Sequence, residues 1–195
     1  DEGYRVAFSV DVEGNPIFTA EMTTEEKYAA ALQAAIGFFK AAGYTFDETT
    51  GMFTAAPEGA KMSYEVIIPA DGIGDHPSFA ILTDAKAALA TIGIELKIND
   101  PADSNVLWDS MDAGTQELWA AASHELWCAA WGSTIDPDMY QVYHSSNIVG
   151  LGGSDSNHYH IQSAELDQMI LDARTSSDQS YRKVMYRAAL EEIMD

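Results

Sequence analysis

Apolar positions along this chain follow two periods in turn. Between residues 24 and 42 they fall at Tyr28, Leu32, Ala35, Ile36 and Phe39, the spacing of an amphipathic helix. Thr23 and Glu26 are placed as a capping box at its start, and Gly43 supplies a stop. From Met62 to Pro69 the pattern becomes that of a short strand centred on Val66-Ile67-Ile68, closed by the turn Asp71-Gly72-Ile73-Gly74-Asp75. Pro77 suits the first turn of a second helix, which carries Phe79, Leu82, Ala85, Ala88, Leu89 and Ile92 and stops at Gly93. Ile94 to Ile98 alternates as a half-exposed strand should. Strand, helix and strand in this order form a βαβ unit, which predicts two parallel strands joined by a right-handed crossover.

The remaining segments are shorter. Tyr4 to Val10 is a strand candidate within a lead-in of 23 residues, and Gly14-Asn15-Pro16 is a turn. Phe46 to Pro57 reads as a loop or weak hairpin, and Ser104 as the cap of a short helix through Trp108 and Met111. Leu126 to Trp131 is an apolar run between polar residues and suits a strand buried on both faces; Gly132-Ser133 ends it before a turn at Asp136-Pro137. Asp138 to Ser145 fits a short helix, and Gly150 to Ser156, small and polar, a mobile loop. Glu165, Leu166, Met169, Ile170 and Ala173 mark another helix. Asp178 caps the last one, whose expected buried face is Tyr181, Val184, Met185, Ala188, Leu190 and Ile193. With no repeat or linker, residues 1–195 are expected to form one α/β layer structure, residues 1–23 being peripheral.

Composition narrows the function classes. A formal charge of −21 argues against nucleic acid and anionic membrane surfaces, which both demand basic patches. It is compatible with a cationic ligand. The lone cysteine, Cys128, lies inside an apolar run and is expected to act as a small hydrophobe. No apolar segment has the length of a membrane span. The chain starts at Asp1 without Met and ends inside a helical pattern, so a larger parent protein is expected.

Chemistry candidates are few. His158 and His160 are the only close histidine pair, and two positions apart on an extended segment they point the same way, a weak metal candidate lacking a third ligand at diagnostic spacing. Gly72-x-Gly74 lies between a strand and a helix but lacks the third glycine and the lysine of a phosphate loop. Asp136 and Asp138 flank Pro137; as a hydrolytic pair they have no supporting nucleophile or metal motif. More telling is the clustering of Trp127, Trp131, Tyr140, Tyr143 and Tyr159 in one part of the chain. Trp131 comes where a strand yields to a polar turn. Ligands collect at the carboxyl ends of strands in open α/β sheets, and an indole offers a flat apolar face with one N–H donor.

The order of the motifs carries a resemblance. It runs from Ala41-Ala-Gly-Tyr44 through Tyr64-Glu-Val-Ile-Ile68 and Leu89-Ala-Thr-Ile-Gly-Ile-Glu-Leu96 to Glu125-Leu-Trp-Cys-Ala-Ala-Trp131. It continues with Asp136-Pro-Asp138, Ser156-Asn157, Tyr159, Ser163-Ala-Glu-Leu-Asp167 and Asp178-Gln-Ser-Tyr-Arg182 with Tyr186. This ordered set, over about residues 24 to 195, resembles the second lobe of family 5 extracellular solute-binding proteins, the peptide-, opine- and nickel-binding receptors of ABC importers.

The resemblance implies one lobe of a type II periplasmic-binding-protein fold, a mixed and mostly parallel sheet flanked by helices, with the second lobe elsewhere in the parent. It implies a receptor without enzymatic activity or cofactor. A peptide or similar small solute would be the ligand and a membrane permease the partner. The setting would be extracytoplasmic, periplasmic or as a cell-surface lipoprotein. Trp131 matches a cleft tryptophan of peptide-binding members. Where those carry an aspartate for the ligand's α-ammonium this chain has Thr134, after which the loop is one residue shorter; Asp136 is the candidate to take over that role. The backbone of Gly132 and Ser133 would pair with a peptide, and Asn157 and Tyr159 would line the rim. A nickel or metal-chelate receptor using His158 and His160 is the alternative.

Overall fold

The computed structural model describes residues 10–111, 124–132, 135–136 and 138–194. Of the strand candidate Tyr4 to Val10, only Val10 falls among the described residues. The chain divides into two compact units, one made of residues 5–104 and 124–129 and the other of residues 1–4, 105–123 and 130–195.

The first unit is built on the βαβ pattern. Helix α1 spans Thr24–Ala41, and its capping box forms in full: Glu26 N–H donates to Thr23 Oγ1 at 3.2 Å while Thr23 N–H donates to Glu26 Oε2 at 2.8 Å. Strands β1 (Thr45–Asp47) and β2 (Met52–Ala55) make the antiparallel hairpin allowed for by the sequence. Strand β3 (Ser63–Ile67), helix α2 (Phe79–Thr91) and strand β4 (Glu95–Asn99) follow, with β3 and β4 parallel as predicted. Pro77 precedes α2 instead of lying in its first turn.

Strand β5 is shorter than expected. It covers Leu126–Trp127, parallel to β3, in a sheet ordered β4-β3-β5, and one further bond runs from Cys128 N–H to Ile67 O at 2.9 Å. The expected strand to Trp131, buried on both faces, is corrected: Leu126 is half exposed. The reason is the partner. Beyond Ile67, Ile68 N–H turns to Asn99 O on the β4 side, and Pro69 has no N–H to offer. Glu125 anchors the start of β5, pairing with Lys61 and accepting from Glu65 N–H at 3.1 Å.

The core of this unit joins Ile36, Tyr44, Phe53, Ile92 and Ile94, with Phe39 and Phe46 edge-on to the buried rings. Gly72-x-Gly74 is not an open anion loop. The Asp100 carboxylate accepts from Ala70, Gly72 and Gly74 N–H at 2.8, 3.0 and 2.9 Å, so the chain fills the cradle with its own anion. Burial pushes the Asp100 carboxyl up, but the three amides outweigh it and hold it below its usual range.

The second unit is helical. Helix α3 (Asn105–Met111), a single turn α4 (Tyr140–Tyr143) and a 3₁₀ turn (Ser145–Asn147) precede the long helices α5 (Ala164–Thr175) and α6 (Gln179–Met194). Ser163 Oγ caps α5 by accepting from Leu166 N–H at 3.2 Å, and Asp178 caps α6 by accepting from Ser180 N–H at 2.8 Å. Leu166, Ile170 and Ala189 form the shared core. The expected α6 face is corrected in part: Ile193 packs on this core, but Tyr181, Val184 and Leu190 are exposed, whereas Tyr186 and Ala189 are buried. Two apolar stripes compete on this helix, and the one bearing small Ala189 permits close approach to α5. Among the described residues no helix is long and apolar enough to cross a membrane.

Candidate functional site

The second unit holds a cavity of about 420 Å³ lined by Trp108, Trp131, Ser154, Asp155, Ser156 and His158. That volume lies in the range of roughly 300–1,000 Å³ typical of small-molecule sites. Trp131 is 51% exposed, so its indole is open to solvent as well as to the cavity. Trp108 comes from α3, and its ring centroid lies 6.5 Å from that of buried His158 at an interplanar angle of 53°.

Two buried asparagines hold the segment that supplies Ser154, Asp155 and Ser156. Asn147 donates from Nδ2 to Tyr140 O at 2.8 Å and accepts Ser154 N–H on Oδ1 at 3.0 Å. Asn157, fully buried, donates from Nδ2 to Ile161 O at 2.9 Å and accepts Ile161 N–H on Oδ1 at 3.2 Å. Its N–H donates to Asn147 O at 2.9 Å. Gly153 fits closely above them: a Cβ there would sit 2.2 Å from Ser146 O. The segment expected to be a mobile loop, residues 150–156, is exposed through residue 155 and is anchored at Ser154 by Asn147, with Gly150 N–H donating to Asp155 Oδ1 at 3.1 Å across it.

The sequence candidates separate on this frame. Trp131 lines the cavity, and open space surrounds the Cα of exposed Gly132. Ser133 and Thr134 lie outside the described residues. Asp136 pairs with Arg182 at 2.9 Å, and Asp138 with Arg174 at 3.2 Å, so the two carboxylates tie the turn to α6 and α5. Each is engaged by a different arginine, an arrangement for holding a turn and not for shared acid–base chemistry. Asn157 lies inside the unit and not at a rim. Tyr159 is half exposed and stacks on Tyr143 at a centroid distance of 5.8 Å. His158 lines the cavity, while His160 sits at a left-handed φ of 54°. Burial, and secondarily the His158 charge, push the His160 ring below its usual value. Among the described residues no group of three or more His, Cys, Asp or Glu is placed to hold a metal ion. Sequence reasoning misses Trp108 and Asp155, because no spacing links α3 to a loop so far along the chain.

No family model and no curated protein matches the sequence. Solved structures do. The oligopeptide-binding protein AppA from Bacillus subtilis, in complex with a nonapeptide, matches over 98% of this chain and 34% of its own, with TM-score 0.59 and 20% identity. The fold is that of these binding proteins. NikZ from Campylobacter jejuni, in complex with Ni(L-His), matches over 86% of this chain and 30% of its own, with TM-score 0.56 and 20% identity. DppA from Helicobacter pylori, in complex with the peptide STSA, matches over 91% and 29%, with TM-score 0.54 and 21% identity. These are solute-binding proteins of the kind that the motif order resembles. This chain spans about a third of their length.

Proposed function

We propose that this chain is one lobe of a substrate-binding component of an ABC importer, and that it captures a peptide or similar small solute outside the cytoplasm for a membrane permease. The observation that supports this reading best is the half-exposed Trp131 beside a cavity of about 420 Å³, in a fold shared with peptide-binding proteins. Trp131 walls the ligand from one side, and the backbone at Gly132 is open enough for a peptide main chain to approach. Asp136 already carries Arg182 as its counter-ion, so a ligand ammonium would have to compete for it.

The test is Trp131→Ala in the full-length receptor, titrated calorimetrically with the solute that co-purifies with the wild type. Loss of a central aromatic contact should weaken binding by about 2 kcal/mol, roughly 30-fold, with the melting profile retained. Equal affinity in both proteins removes Trp131 from the site. His158 on the cavity wall and the likeness to NikZ support a second reading, capture of a metal chelate. Heat on titration with nickel–histidine, absent with small peptides, would favour it.

A further inference from the structure

We propose that the cavity selects an organic cation, the ammonium or guanidinium group of a side chain on the captured solute. This rests on the capture reading above and names its ligand class. Two indoles, Trp108 and Trp131, and one carboxylate, Asp155, line the cavity, and among the described lining residues there is no lysine or arginine. An indole face attracts a cation through its quadrupole, more strongly when water is excluded. A carboxylate on the same wall supplies the full counter-charge and directional acceptors. Ser154 and Ser156 add hydroxyls that accept from N–H donors. An anionic solute would meet Asp155 with no lysine or arginine among the described lining residues to offset it, and an aliphatic one would displace water from that carboxylate without offering it a new donor.

Asp155 is also held in position. It adopts a left-handed φ of 54°, and its Oδ1 accepts Gly150 N–H at 3.1 Å. Asparagine tolerates that backbone and keeps an acceptor oxygen, so Asp155→Asn removes the charge with the loop intact.

The experiment is calorimetric titration of the full-length receptor with Gly-Lys-Gly, Gly-norleucine-Gly and Gly-Glu-Gly. The lysine peptide should bind about ten-fold tighter than the norleucine peptide, the combined size of a modest cation–π contact and a charge-assisted bond to Asp155, of which the second is the part lost in Asp155→Asn. Gly-Glu-Gly should bind weakest. In Asp155→Asn, checked for an unchanged melting profile, the preference for lysine over norleucine should shrink to within about three-fold. Equal binding of lysine and norleucine peptides overturns the cation preference and leaves peptide capture standing. A preference that persists in Asp155→Asn overturns the role given to this carboxylate. If none of the three binds, the peptide-capture reading fails and the cation preference fails with it.

Discussion

Asn157 shows how one residue can hold a loop in place from inside the fold. Its amide is fully buried and bonds to the backbone of Ile161 in both directions, beneath the loop that carries Asp155 and Ser156. Truncation strands these buried backbone groups, and the cost of leaving such groups unpaired is about 1–3 kcal/mol. Asn157→Ala should therefore lower the denaturation midpoint in urea with an unchanged slope. Unaltered stability would remove Asn157 from this framework role. In the sequence, an asparagine beside an exposed tyrosine looks the same whether its amide faces solvent or backbone, so the motif order alone places it at a rim. Trp131 is legible as an aromatic ahead of a polar turn, but its openness is not, because hydropathy alone does not tell an exposed indole from a buried one.

At the scale of elements, local chemistry is legible and pairing partners are not. The capping box at Thr23 and Glu26 and the stop at Gly93 are set within a few residues of sequence, and the one pairing that is legible, parallel β3 and β4, follows from the general rule for a strand–helix–strand unit. The length of β5 and the buried stripe of α6 are set by what lies opposite, so periodicity alone misjudges both. Gly93 has a φ of 82°, and a Cβ there would sit 2.7 Å from Phe53 O, against the hairpin that closes the first core. Gly93→Ala should destabilise by about 1–3 kcal/mol, the cost of a strained backbone; a change below about 0.5 kcal/mol, the range of neutral surface substitutions, would contradict this close approach. The Asp100 cradle makes a pH-dependent counterpart. Its folded-state carboxyl is held below the ordinary value, so its stabilising effect is present above pH about 4 and fades as pH falls through the folded value. Amide resonances of Gly72 and Gly74 should shift with a midpoint below about 3.9. A midpoint at or above that value would show the three N–H donors not to be bound to the carboxylate.

Charge dominates the behaviour of the whole molecule. Lysine and arginine total 10 against 31 aspartates and glutamates. Lys40, Lys61, Lys97, Arg174, Arg182 and Arg187 are each already paired with a carboxylate, and the acids still far outnumber the cations. Folding gathers these charges into a smaller volume, and their mutual repulsion opposes the compact state. Salt weakens that repulsion over a Debye length of about 30 Å at 0.01 M and about 8 Å at 0.15 M. The exposed ion pairs weaken too, but each contributes only about 0–1 kcal/mol. Repulsion should win, so the melting temperature should rise between 0.01 and 0.15 M sodium chloride, by about 2–4 °C for each kcal/mol of relief in a chain of this size. Repeating the measurement with sodium sulfate at matched ionic strength separates screening from general salting effects, because screening predicts nearly the same rise in both. A melting temperature that falls with sodium chloride would mean that the paired carboxylates outweigh the unpaired ones.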